Sequence, residues 1–451
     1  MTEGPLFANL VLYTIPIILT GLLQLLFNAA DLIVVGRYCG SVSVAAVGAT
    51  GSITNLIVNL FIGLSVGAGV TTAQALGSGN GEKAHNIVHT AIPAAALGGI
   101  ILTVIGVSGS EFLLRLMDTP DDVISLSSTY MKIYFCGMTA NMLYNFGAAI
   151  LRAAGDTRSP LYFLSVAGVL NVILNVIFVY FFDMNVAGVA LATALTQTLS
   201  AVLVLRALTK RTDGCRLVFR AVKFHGKELG QIVRIGLPAG IQGSLFSISN
   251  VLIQSSVNSF GSVVMSGNAA AQNIEGFVYV SMNSFHQTAL NFTGQNFGAK
   301  KFSRIKKIMW LCLASVSVAG VIAGVTGYVF AKPLLSIYIT DSAEAINYGI
   351  LRMTYICLPY FLCGIMDVMT GTLRGLGASI GPTLITILGV CGFRIVWIFF
   401  VFGNENFHSL KTLYLSYPIS WVVTFAAELA AFFIIFRRQI KKNKALQECP
   451  Q

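Results

Sequence analysis

The sequence predicts an all-α polytopic membrane protein of twelve transmembrane helices in two pseudo-symmetric six-helix lobes. Three observations carry that expectation. Only 10% of the 451 residues are charged and 55% are hydrophobic, whereas a soluble domain carries roughly a quarter of its residues as Asp, Glu, Lys or Arg. Apolar runs of the ~20 residues needed to cross a hydrocarbon core recur along the whole chain. Residues at hinge and turn positions repeat at one fixed offset, as duplication of a six-span unit requires.

The spans read as 7–36, 44–73, 87–109, 123–151, 160–182 and 186–208, then 232–259, 264–297, 307–330, 343–373, 381–403 and 411–436. They group into an N-terminal lobe over 1–208, a basic amphipathic linker over 209–231 that lies along the inner surface, a C-terminal lobe over 232–436 and a basic tail over 437–451. The duplication rests on three anchors. Leu151-Arg-Ala-Ala-Gly155 after span four matches Leu373-Arg-Gly-Leu-Gly377 after span ten at 222 residues, and Pro16 matches Pro238 at the same distance. Gln74-Ala-Leu-Gly77 matches Gln295-Asn-Phe-Gly298 at 221. An even number of spans keeps both copies in one orientation, so they are parallel repeats about an axis along the membrane normal, with a substrate path expected between them. Gly63-X-X-X-Gly67, Gly320-X-X-X-Gly324 and Gly371-X-X-X-Gly375 have the spacing of close helix contacts. Pro16, Pro238 and Pro359 inside spans permit bends.

A net charge of +11 would suit nucleic acid if it lay on one soluble face. Instead the basic residues concentrate in alternate loops, and the positive-inside rule places both termini in the cytoplasm. Met1-Thr-Glu-Gly-Pro lacks the basic region of a secretory signal, so the first apolar run reads as a span. Eight cysteines, with no Cys-X-X-Cys pair, read as packing residues without disulfide or metal. No His-Glu-X-X-His, Gly-X-Ser-X-Gly or phosphate loop occurs, which argues against an enzyme and against ATP as the direct energy source.

An ionisable group inside a span is costly and needs a reason to be there. Asp31 follows Gln24 and Asn28 on the first span with no basic partner near in sequence. A carboxylate sunk in hydrocarbon gains from a bound proton or cation, which makes it a coupling device. Asn171 and Asn175 stand four apart on one face of span five, and Thr193 lies in span six. These oxygen ligands suit sodium as well as a protonated carboxyl. Interhelical polar glue explains the two asparagines equally well. Asp367 either lines a cavity or forms a buried pair with Arg394. Glu275 is either functional or hydrated near an interface, and His286 is either titratable or a packing residue. Lys132 and Arg352, near the outer ends of spans four and ten, can snorkel to the interface. Glu428 has no partner legible in sequence.

Asn28-Ala-Ala-Asp31, Leu170-Asn171 through Asn175-Val-Ile-Phe178, Leu151-Arg-Ala-Ala-Gly-Asp156, Gly294-Gln-Asn-Phe-Gly-Ala299 and Leu373-Arg-Gly-Leu-Gly377, in that duplicated arrangement, resemble the multidrug and toxic compound extrusion (MATE) family of prokaryotes. The resemblance covers essentially the whole chain. It implies two lobes, a central cavity, and export of amphipathic, often cationic compounds in exchange for Na+ or H+. By motif it puts Asp31, Asn171, Asn175 and Thr193 at the coupling-cation site, with Asn175 where many relatives carry a second acid. Asp367, Glu275, His286, Gln24 and Asn28 are the further candidates for the cavity or coupling. The expected partners are small organic molecules and membrane lipids, without nucleic acid or cofactor, for a monomer in the bacterial cytoplasmic membrane. The alternative is a lipid-linked oligosaccharide flippase of a related two-lobed family, which would need several basic residues in its cavity to hold a pyrophosphate.

Overall fold

The computed structural model describes residues 1–117, 119–340 and 342–448, and side chains up to Lys441 save a few near 41, 52 and 121. The end of the basic tail, with Cys449, lies outside the described residues. Every one of the twelve expected spans falls on helix. They are α1 (Leu6–Tyr38), α2 (Ser41–Gly77), α3 (Gly81–Leu116), α4 (Asp121–Cys136) with α5 (Met138–Ala153), α6 (Arg158–Val176) and α7 (Asn185–Thr209). The second set is α8 (Gly226–Asn258), α9 (Ser262–Gly298), α10 (Phe302–Val329) with a short α11 (Ala331–Tyr338), α12 (Ala343–Tyr355) with α13 (Tyr360–Gly375), α14 and α15 (Ile380–Thr386 and Phe393–Val396, linked by π-turns) and α16 (Leu410–Glu448). Eight helical segments among the described residues are long and apolar enough to cross a membrane by themselves, and α12 with α13 makes a ninth.

Two spans that read as continuous are broken. The fourth stops and restarts at Gly137, and the tenth bends by 46° between Tyr355 and Tyr360. Gly137 and Pro359 are 222 residues apart, so the break belongs to the repeat. Pro359 denies the chain a backbone donor there, whereas α1 and α8 run on through Pro16 and Pro238. The duplication also shows in the backbone. Gly40 and Gly261 have φ of 85° and 96°, and Gly155 and Gly377 have 95° and 83°, conformations that glycine adopts without steric penalty. Gly79 and Lys300, 221 apart, both turn left-handed after their long helices. π-Turns close the C-terminal part of both fifth-span equivalents, at Ile177–Phe181 and Trp397–Phe402.

The chain folds into two compact units, Ile15–Ser244 and Met1–Thr14 with Leu245–Gln451. The first turns of α1 thus belong with the second half of the chain, and the first turns of α8 with the first half. The core of the Ile15–Ser244 unit is built on Phe135, Phe146, Met131, Met138 and Leu102, all at most 2% exposed. Its helices approach closely at glycine. A methyl on Gly63 would lie 2.1 Å from the backbone nitrogen of Gly240, and one on Gly106 would lie 1.9 Å from the ring of Phe135. In the other unit Tyr414, Tyr417, Trp421 and Ile356 form one apolar cluster, and Leu335, Met353 and Cys357 belong to another.

Residues 211–225 are docked, not loose. The Val218 amide donates to Nε2 of buried His89 at 3.0 Å, and the His225 amide donates to Thr90 Oγ1 at 3.1 Å, so α3 holds the segment at two successive residues. Within it Arg211 Nε donates to Asp213 Oδ1 at 2.9 Å, which holds the Asp213 carboxyl below the usual aspartate range. One short turn, Phe219–Ala221, is its only helix among the described residues.

Candidate functional site

Helix α6 reverses the pattern of a water-soluble helix. It exposes Tyr162, Val166, Val169 and Ile173 to the surroundings and buries Asn171 and Asn175. An amide pointed into lipid would lose its hydrogen bonds, so both must find partners inside. They find them on two other helices. Asn175 Nδ2 donates to Asp31 Oδ1 on α1 at 2.5 Å and to Asn171 Oδ1 at 3.1 Å. Asn171 Nδ2 in turn donates to Thr193 Oγ1 at 3.4 Å and to Thr196 Oγ1 at 3.5 Å on α7. Each threonine hydroxyl gives its own hydrogen to a carbonyl one turn back, Val189 and Ala192 respectively. A continuous chain of hydrogen bonds therefore runs from the Asp31 carboxylate across three helices.

Asp31, Asn171, Asn175 and Thr193 are thus brought together as one set. Thr196 belongs to it and was not foreseen, although its spacing of three from Thr193 puts both on one helix face. Tyr130 and Tyr134 of α4, stacked at 5.9 Å, lie within electrostatic reach of Asp31. Gln24 and Asn28 are exposed along α1 and stand outside this set.

The set carries one formal negative charge and, among the described residues, no basic group joins it. Asn175 is fully buried, and its Oδ1 has no hydrogen-bond partner. A buried amide oxygen left bare costs ~1–3 kcal/mol, and a half-turn of the amide about χ2 would swap Nδ2 for Oδ1 in front of Asp31. The donors on offer are then a carboxylate, amide oxygens and hydroxyls, all hard oxygen ligands that fit an alkali cation. The same turn lets Oδ1 accept from a protonated Asp31. The residues fit one monovalent cation or one proton.

The C-terminal candidates do not form a comparable set. Glu275, expected to be functional or hydrated, is buried and locked to Arg352, whose Nε and Nη2 donate to the two carboxylate oxygens at 3.0 and 2.8 Å. Arg352 Nη1 donates to Asn268 Oδ1 at 2.7 Å, and its guanidinium lies over the rings of Tyr414 and Tyr417. Arg352 therefore does not snorkel. A bidentate partner on α9, which packs against α12, outweighs the pull of the interface, because a guanidinium forks onto a carboxylate with two parallel bonds. Lys132 is exposed, as a snorkelling lysine is. Of the two alternatives for Asp367, the pair with Arg394 is not formed. Arg394 donates to Ser420 Oγ at 3.2 Å and stacks 4.0 Å over Tyr417, while the charge that Asp367 feels is that of Arg374. His286 is buried, with Nδ1 2.7 Å from the backbone carbonyl of Asp367. It ties α9 to α13.

Comparison with known proteins agrees with this architecture. The MatE family model matches twice, over residues 16–177 and 238–400, the two halves of the repeat. The chain is 27% identical over 424 residues to the probable multidrug resistance protein YoeA of Bacillus subtilis, covering 92% of this chain and 91% of that one. It is 28% identical to the probable multidrug resistance protein YpnP of the same organism, over 86% of each. Among solved structures it is similar to the Vibrio cholerae MATE transporter VcmN in its bent form, with a TM-score of 0.87 at 21% identity over 96% of this chain and 98% of that one. That likeness concerns the fold, a twelve-helix arrangement in two lobes. With the family model matching most of its length in duplicate, the chain belongs to the MatE family of membrane transporters.

Proposed function

We propose that the protein is a secondary antiporter that exports amphipathic, cationic organic compounds in exchange for one inward-moving proton or sodium ion. The observation that carries this reading is the hydrogen-bonded set around Asp31. It offers a single unneutralised carboxylate, a bare amide oxygen and hydroxyls, with no basic side chain among its hydrogen-bond partners. An inbound cation would be held by Asp31, Asn171, Asn175 and Thr193, with Thr196 fixing the amide of Asn171. The cation supplies the positive charge that lets Asp31 remain in a low-dielectric interior. When it leaves, Asn175 Nδ2 returns to the carboxylate, and the change in α1–α6–α7 bonding is what two conformations opening to opposite faces can sense. The names of the Bacillus relatives support a multidrug substrate class and their source a bacterial membrane, while the basic residues in alternate loops support both termini inside.

A phosphate-holding flippase fits less well. Of the buried arginines, Arg352 is neutralised by Glu275, Arg394 is engaged by Ser420 and Tyr417, and Arg374 lies within electrostatic reach of two carboxyls, Asp367 and Glu428.

Export of a fluorescent organic cation from everted vesicles, with sodium and proton gradients imposed separately, tests the reading. One of the two gradients should drive export and Asp31→Asn should abolish it. Failure of both gradients, or unaltered export by Asp31→Asn, would overturn it.

A further inference from the structure

Glu428 has no place in the mechanism above, yet it is the most deeply sunk carboxyl among the described residues of its unit. It lies on α16 nine residues before Arg437 and is 0% exposed. Two hydroxyls meet one of its oxygens. Thr370 Oγ1 of α13 donates to Oε1 at 2.7 Å, and Thr386 Oγ1 of α14 donates to the same atom at 2.9 Å. Oε2 is buried with no hydrogen-bond partner, and so are the hydroxyl oxygens of Thr383 and Thr424, one turn before Thr386 and Glu428 on their helices. A structural carboxylate would be expected to have both oxygens satisfied, as Glu275 has.

The hydroxyl pair can reverse its polarity. Thr370 Oγ1 also reaches the carbonyl of Met366 at 3.4 Å, and Thr386 Oγ1 reaches that of Pro382 at 2.8 Å. Each hydrogen can point at the carboxylate or back into its own helix, and in the second case the freed oxygen accepts from a carboxyl O–H. The threonines therefore satisfy both the charged and the neutral form of Glu428 without moving a helix.

Charge counting says which form needs completing. Of the groups on elements packed against α16, α13 brings Asp367 and Arg374, both within electrostatic reach of Glu428. Helix α14 brings no titratable side chain. Arg394 is engaged with Ser420, Arg352 is neutralised by Glu275, and Cys391 lies on the π-turn between α14 and α15. From α9, His286 meets the carbonyl of Asp367 and lies within electrostatic reach of Arg374. Two carboxyls and one guanidinium, each at least nine-tenths buried, leave one negative charge over. A buried charge without a partner is costly enough to draw in a proton.

We propose that Glu428 is a second ion-coupling site, which binds and releases one proton inside the C-terminal half of the chain with Thr370 and Thr386 as its switchable partners. This rests on the antiporter reading for its purpose, but not for its detection. The step is a proton transfer from water to Oε1, the oxygen that both threonines touch, and back, with no other bond made or broken.

Infrared difference spectroscopy on the full chain in lipid, stepped between alkaline and neutral pH, reads it directly. A carboxyl C=O band should rise as Glu428 takes its proton, vanish in Glu428→Gln and persist in Asp31→Asn. Its frequency should shift in Thr386→Val, which removes one hydroxyl partner and keeps the carboxyl, so the test stands even where the glutamine variant fails to fold. A band that survives Glu428→Gln, or one indifferent to Thr386→Val, would overturn the proposal. Organic-cation export with no such band removes the site and leaves the antiporter. The band without any export does the reverse.

Discussion

The two polar clusters of this protein stand in units that share their hinges, turns and helix breaks, yet they solve the problem of a buried carboxylate in opposite ways. Around Asp31 the partners are neutral amides and hydroxyls, the acid is only partly buried, and its neighbour Asn175 keeps a bare oxygen. In the second unit Glu275 is answered by a guanidinium that fills both its oxygens, and two further buried acids, Asp367 and Glu428, lie around a second arginine. An arginine is a permanent cation. An amide is not, and it leaves room for one that comes and goes. The repeated plan thus carries a neutralised carboxylate at Glu275 and a carboxylate without a fixed cation at Asp31.

The comparison breaks most completely at Asp31. In Asp31→Asn the first cluster loses its only formal charge while the amide can keep the bond to Asn175, so gradient-driven export should fall to background while folding is retained. Thermal unfolding measured beside vesicle transport checks both halves. Export near the wild-type rate would mean that the cluster is interhelical glue and nothing more.

The opposite outcome is expected at Glu275. Glu275→Gln leaves Arg352 charged in a site 3% exposed, and removing one partner of a buried pair costs ~3–5 kcal/mol. The variant should unfold at markedly lower temperature. Replacing both residues, Glu275→Leu with Arg352→Met, should recover most of that loss because no uncompensated charge remains. A Glu275→Gln protein with unchanged stability but altered ion dependence would move Glu275 into the coupling class.

Hydropathy made all twelve helical segments legible, and the spacing of Pro16, Gly77 and Gly155 from their second copies made the duplication legible. Hydropathy could not show where a span breaks. An apolar run reads the same whether Gly137 continues the helix or restarts it. The N-terminal cluster was readable because three of its members stand out as polar residues on otherwise apolar spans. Thr196 passed unnoticed, since a threonine in a membrane helix most often bonds a carbonyl one turn back on its own helix, as this one also does. Arg352 was misread for a different reason. Its partner lies 77 residues away, and nothing local distinguishes a lysine-like snorkel from a forked ion pair. Thr370 and Thr386 reach Glu428 over 58 and 42 residues, pairings that only the packing of α13, α14 and α16 reveals.

Asn175 offers a gain in place of a loss. Asn175→Asp would set a second carboxyl at hydrogen-bond distance from Asp31, and two such groups cannot both stay charged without compensation. The variant should carry one more positive charge per substrate exported, read as a shift in the gradient at which net transport in liposomes reverses. An unchanged ratio would mean that the count of carboxylates does not set the stoichiometry.

The smallest effect separates the clusters from the surface. Asp213 lies outside the spans, and its bond from Arg211 keeps the carboxyl below the ordinary aspartate range. A depressed folded-state value means that the stabilisation is present above the unfolded value of ~3.9 and is lost as pH falls through the folded one. Docking of residues 211–221 should therefore hold through neutral pH and loosen only in clearly acidic buffer. A part-exposed pair contributes at most ~1 kcal/mol, so the change is local. Hydrogen–deuterium exchange of the Cys215 and Leu217 amides, corrected for intrinsic pH dependence, should show protection dropping on acidification in the wild type. In Asp213→Asn protection should already be low at neutral pH and change less. If the two proteins lose protection in parallel, the linker is held by His89 and Thr90 alone, and the acid response of the surface owes nothing to the Arg211–Asp213 pair.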